Sequence, residues 1–266
     1  MNGPLGLPVA ASAHAGEVDQ TMVLVHVLMA VLFVGWILFF LYALYRFRRK
    51  NNPVADYKGV TSHTSTYLEI GVAIVEAVLL IGFSIPLWAK RVDALPKESD
   101  SVVVRVVGEQ FAWNVHYPGP DGKFGKTDIK MIDLQTNPLG LDRSDPDAKD
   151  DITTVNQLHL PVGKPAIVHL LSKDVIHSFN LTEFRVKQDA IPGVMIPLWF
   201  VPTVTTDEMR QKLNEPEFVY EIACAQLCGL GHYSMRGYVT IESPEGFQTW
   251  LDEEAKKLNS EDAAWN

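Results

Sequence analysis

Two stretches near the start of the chain are nearly continuous hydrocarbon, and everything after Arg91 is patterned like a water-soluble domain. Residues 21–45 carry no formal charge, with His26 as the only polar ring. A helix needs about 20 apolar residues to cross a bilayer core, so this stretch predicts a membrane span with some tilt. Residues 67–88 predict a second span, interrupted by Glu69 and Glu76. Tyr42, Tyr45 and Trp88 stand at the block ends, where amphipathic rings favour the headgroup level. A secretory leader fits the first block poorly. Its basic residues follow rather than precede it, no small-residue cleavage pattern closes it, and it is too long.

Beyond residue 92 the period changes. Residues 102–107, 111–117, 157–160, 166–171, 178–181, 218–223 and 237–241 are short β-branched or aromatic runs separated by Pro, Gly and Asp, which predicts strands of a sandwich or small barrel. Residues 118–151 are polar and rich in Asp, Gly and Pro, and read as a long surface loop. Ser243 and Pro244, followed by Phe247, Trp250, Leu251 and Leu258, predict a capped amphipathic helix over about 244–258. The expected architecture is a hairpin of two transmembrane α-helices followed by an all-β domain. An outer tail covers 1–20, the hairpin 21–91 and the β-domain 92–266.

Charge orients this arrangement. Arg46, Arg48, Arg49, Lys50 and Lys58 crowd the short loop between the spans, while the segment before Thr21 has no Lys or Arg. The positive-inside rule puts the loop in the cytoplasm or matrix and both termini outside, and outvotes Lys90 and Arg91. From Val92 onward the chain has 16 basic and 27 acidic residues, a formal charge of −11. Such a surface keeps a domain soluble, steers a cationic partner, and gives no reason to expect a nucleic-acid partner. The length of 266 residues suits one or two units.

The chemistry is concentrated in Cys224-Ala-Gln-Leu-Cys228-Gly-Leu-Gly-His232-Tyr-Ser-Met235, which contains the only two cysteines. Thiolate and thioether are soft ligands and imidazole is intermediate, a set that selects copper. A Cys224–Cys228 disulfide suits an oxidising compartment but explains neither His232 nor Met235. Zinc takes four tight N or S ligands, and Met is a poor one. A mononuclear blue-copper site needs one Cys, two His and a weak Met, which leaves Cys224 spare. Two thiolates can instead bridge two copper ions, each ion also taking one His and one weak ligand. His177, at the start of an expected strand, is the candidate upstream ligand. His159 and His169 read as core or surface residues, and His14, His26, His63 and His116 show no partner pattern. No nucleophile–base arrangement is visible elsewhere, so the chemistry is electron transfer.

The Cys-x-x-x-Cys-Gly-x-x-His-x-x-Met pattern, His177-Ser-Phe and Asp189-Ala-Ile-Pro-Gly193 resemble the subunit II family of cytochrome c oxidases, and the two spans extend the resemblance over nearly the whole chain. It implies a cupredoxin-like domain with a binuclear copper centre, CuA, held by His177, Cys224, Cys228, His232, Met235 and the carbonyl of Gln226. It implies a cytochrome c donor and a haem-bearing subunit I as acceptor with other oxidase subunits beside it. The long loop after Pro118 points to a bacterial inner membrane, with the copper domain on the periplasmic side. The chain has no haem-binding Cys-x-x-Cys-His, so the donor is a separate protein.

Three departures stand out. The family has Glu between the cysteines, reaching a magnesium ion. Gln226 offers a neutral amide, a weaker magnesium ligand, which puts the magnesium site at the subunit I boundary in doubt. The family's aromatic stretch begins with a Trp that receives the electron, where this chain has Phe111, with Trp113 matching a later Trp. Glu69 resembles the carboxylate at the mouth of a proton path, but Val72-Ala73 replaces the usual Trp-Thr. The competing reading is a membrane-anchored blue-copper carrier that needs no partner subunit.

Overall fold

The computed structural model describes residues 4–55, 57–59, 61–133 and 136–264, so the extreme ends of the expected tail and β-domain, and two positions of the 118–151 loop, lie outside it. The chain divides into a helical unit, Glu17–Lys90, and a β-unit to which the segments before and after it belong.

In the helical unit, α1 (Ala15–Phe47) and α2 (Thr64–Val92) both exceed the apolar stretches that identify them. Neither buries its apolar window inside the chain. A helix that is hydrophobic all round yet unburied is suited to a hydrocarbon solvent, and the protein is membrane-anchored. α2 widens into a π-helical turn at Leu80–Ser84, immediately before Pro86. Proline supplies no N–H and its ring crowds the carbonyl one turn below, so the ladder shifts register there.

The β-unit is a sandwich of two five-stranded sheets. In one, β3 (Ile152–Val155), β2 (Ala112–Tyr117), β1 (Val102–Glu109), β5 (Ala166–Ser172) and β8 (Ile196–Phe200) lie side by side. In the other the order is β4 (Gln157–Pro161), β10 (Arg236–Glu242), β9 (Tyr220–Cys224), β6 (His177–Leu181) and β7 (Val186–Ala190). Alternate residues of facing strands, among them Val104, Val106, Trp113, Leu158, Leu170, Phe179, Ile222 and Val239, form the buried core. Asn156 crosses between the sheets in a left-handed conformation (φ 58°), which Asn tolerates better than most residues. It exchanges hydrogen bonds with Trp113: its Oδ1 accepts from the Trp113 N–H at 2.8 Å, and its own N–H donates to the Trp113 carbonyl at 2.7 Å.

Three strands, β3, β7 and β8, were not expected from the pattern, and all three are sheet edges. An edge strand has one neighbour and tolerates residues that spoil alternation, such as Pro197 in β8. Also unexpected is α3 (Thr206–Leu213), held by a capping box between Thr205 and Glu208 and ended by Asn214 in the left-handed region. The C-terminal helix α4 (Pro244–Ala264) runs past the expected stretch and packs Phe247 and Trp250 against Tyr117.

The N-terminal segment is not a loose tail. Ala11 N–H donates to the Glu183 carbonyl at 2.8 Å, Ala13 N–H to Val201 at 3.0 Å, and Thr203 N–H returns to Ala11 at 2.9 Å. Ser12 Oγ donates to the Phe184 carbonyl at 2.6 Å, and Ala11 is wholly buried in the core. The segment works as an added edge strap of the β-unit.

His116 also departs from expectation. Its Nε2 lies 2.6 Å from Asp151 Oδ2, with both side chains buried. Asp151 also accepts the N–H groups of Gly119 and Gly125, so this one carboxylate closes the 118–151 loop at both ends.

Candidate metal centre

One end of the second sheet carries the candidate ligands. Cys224 ends β9 opposite Phe179 of β6, two residues beyond His177. Gly229, at φ 135°, turns the segment between β9 and β10 back on itself in a conformation that strains L side chains. That turn brings His232 and Met235 around to the cysteines.

Cys224 Sγ and Cys228 Sγ lie 3.8 Å apart, and both thiols are free. His177 Nδ1 lies 3.9 Å from Cys224 Sγ, and His232 Nδ1 lies 3.6 Å from Cys228 Sγ. Met235 Sδ is 3.7 Å from Cys228 Sγ, and the Gln226 carbonyl oxygen is 3.2 Å from Cys224 Sγ. The ligand atoms of His177, Cys224 and Cys228 all fall within 4.8 Å of one another. All six sequence candidates therefore meet at one place, with His177, Gln226, His232 and Met235 around the Cys224–Cys228 sulfur pair. Each sulfur has one imidazole beside it and one weaker donor.

This donor set fits a soft metal. Burial and the adjacent Cys224 thiol push the Cys228 thiol up to about 11, so without a cation the pocket favours the protonated thiol. A metal-ligating His usually donates its other ring nitrogen to a fixed acceptor, and His177 Nε2 lies 2.8 Å from Asp174 Oδ1. Burial opposes ionisation of Asp174, but hydrogen bonds from His177 and from the backbone N–H groups of Gln110 and Val175 outweigh it and hold the carboxyl below its ordinary value.

Asp174 and Gln110 were missed by the sequence reading. Asp174 stands three residues before His177, a spacing that could have suggested it. Gln110 Nε2 donates to the Cys228 carbonyl across 118 residues of chain, which no local pattern reveals.

Phe111 and Trp113 occupy different environments. Phe111 packs against the site loop and keeps 36% of its surface exposed. Trp113 is fully buried and meets the rings of His177 and Phe179 edge-on. Leu227, Leu230 and Tyr233 of the same loop point outward and form an apolar rim. Of the other histidines, His159 stacks on Trp250 at 4.1 Å. Glu69 lies on α2 in the helical unit.

Residues 102–243 match the family described as cytochrome C oxidase subunit II, periplasmic domain. The chain is 32% identical over 240 residues to the alternative cytochrome c oxidase subunit 2 of Bradyrhizobium diazoefficiens, covering 90% of this chain and 80% of that protein. It is 30% identical over 266 residues to cytochrome c oxidase subunit 2 of Cereibacter sphaeroides, covering 94% and 80%. The crystal structure of the periplasmic domain of subunit II of cytochrome oxidase from Bradyrhizobium japonicum matches at 27% identity with a TM-score of 0.42, over 62% of this chain and 99% of that one.

Proposed function

Because the chain belongs to the cytochrome c oxidase subunit II family, a part of haem–copper oxidases, we propose that its β-unit is an electron relay on the outer side of a bacterial inner membrane. It receives electrons from a cytochrome c and passes them to haem in subunit I, where oxygen is reduced and protons are translocated. The observation that carries this reading is the sulfur pair. Cys224 and Cys228 stand 3.8 Å apart with His177 beside one and His232 beside the other. A mononuclear blue-copper site would leave one cysteine spare, whereas here each has its own imidazole.

When bound, two copper ions would supply a one-electron carrier. The chain's own contribution is rigidity. His177 is fixed by Asp174, Cys228 by the Gln110 bond to its carbonyl, and Met235 by burial among core residues. Ligands held this way move little on a change of charge, and small reorganisation favours rapid relay. Phe111, at the surface of the loop, is the candidate to receive the incoming electron. Trp113 connects His177 to the core and is a less direct candidate. The acidic outer domain suits a cationic donor, and the rim of Leu227, Leu230 and Tyr233 is apolar surface of the kind a partner covers. Gln226 offers magnesium no carboxylate, and Glu69 is assigned to proton uptake.

The test is copper reconstitution of the full chain in detergent, followed by a metal count and electron paramagnetic resonance. Two coppers per chain and hyperfine structure from one electron shared by both support the reading. One copper with a blue mononuclear spectrum overturns it and favours a membrane-anchored carrier.

A further inference from the structure

The copper centre leaves Glu76 without a role. α2 is 29 residues long, about 44 Å at 1.5 Å per residue. Glu69 is its sixth residue and Glu76 its thirteenth. Glu69 therefore stands within two turns of the end joined to the basic loop, and Glu76 stands near the middle of the helix. Seven residues apart, the two carboxyls share a face and are separated by about 10.5 Å along the axis. Ala73 lies between them on that face, four residues after Glu69 and three before Glu76.

No other charged side chain occurs between Thr64 and Ala89. Both glutamates are exposed with respect to their own chain, and among the described residues no ion pair involves either. An ionisable group at mid-membrane is costly in lipid, faces protein or water instead, and marks ion or proton routes. The π-turn begins about one turn beyond Glu76, at Leu80, and Pro86, ten residues beyond Glu76, removes a main-chain donor, which leaves a carbonyl of the preceding turn without that partner.

We propose that Glu76 is a second proton-relay residue, acting beyond Glu69 on the same face of α2. Its carboxylate accepts a proton delivered through water from the Glu69 side. The resulting carboxyl releases that proton to an acceptor deeper in the oxidase. Glu76 returns to its starting form, with one proton moved and no electron transferred. The inference rests on the reading of the chain as an oxidase subunit with Glu69 in proton uptake.

The test uses the intact oxidase complex with Glu76→Gln. The expected result is oxygen turnover and proton uptake slowed about tenfold or more, with copper content and the rate of copper reduction by cytochrome c unchanged. A redox-driven infrared band from a protonating carboxyl should also disappear. Turnover and uptake within twofold of wild type overturn the proposal. If Glu76→Gln does not assemble, Glu76→Asp decides: a shifted carboxyl band supports it and an unshifted band overturns it. Wild-type complex that accepts no electrons from a cytochrome c would instead overturn the reading beneath it.

Discussion

His177 and Asp174 make a fixed pair at the metal centre: the imidazole turns Nδ1 toward Cys224 and holds Nε2 at 2.8 Å from the Asp174 carboxylate. Removing such a partner frees the ring to rotate and lowers metal affinity by roughly 10- to 100-fold. Asp174→Ala should weaken copper binding by that order in a chelator competition. Asp174→Asn, which keeps an acceptor oxygen, should retain most of it. Equal affinities for both variants and wild type would exclude the positioning role.

Phe111 and Gly231 are in direct competition for space. A Cβ added to Gly231 would lie 2.4 Å from Phe111 Cδ2. Gly231→Ala should therefore displace the loop at a cost of about 1–3 kcal/mol and perturb the copper spectrum. Phe111→Ala in the same chain should relieve the clash, so a double-mutant cycle should show strong non-additivity. Additive effects would mean that the ring and the loop do not meet.

Asp151 anchors the long polar loop. Asp151→Ala leaves buried His116 and two backbone N–H groups without their acceptor, and losing a buried partner of this kind costs about 3 kcal/mol or more. Denaturant unfolding should register that loss, and limited proteolysis should cut within 118–151 first. The copper spectrum should be unaffected.

His159 gives the fold a pH dependence of definite sign. Burial lowers its pKa below the ordinary histidine value, against the opposing pull of Glu242 and Glu254. The unfolded chain therefore binds a proton more readily, and the stability contributed is fully present above the unfolded pKa. It is lost as pH falls from about 6.5 toward the lower folded value. Melting temperature should drop between about pH 7.5 and pH 5.5, and His159→Phe should flatten that slope. Because His159 stacks on Trp250, the tryptophan fluorescence of the folded protein should change at lower pH, where the buried ring takes up its proton.

The ligand set could be read from the chain because four of its side chains fall within twelve residues, and soft donors at that spacing have few other uses. Its support could not. Gln110 and Asp174 act through contacts fixed only once β1, β2 and the β5–β6 turn are folded. Central strands such as β1 and β5 announced themselves by their β-branched runs. The edge strands β3, β7 and β8 carry mixed patterns, because one side of each meets no neighbour. The strap at Pro8–Ala13 was invisible for a related reason. Its hydrogen-bond partners, Glu183, Phe184, Val201 and Thr203, lie far away in the sequence.

That strap also sets an order of assembly. Its partners, from Glu183 to Thr203, are synthesised some 170 to 190 residues later, and at roughly 5–20 residues per second that is a wait of about 10–40 s. For that interval the strap has no place to bind, because the backbone groups that receive it do not yet exist. Residues made well before their partners are thus among the last of the β-unit to find their place.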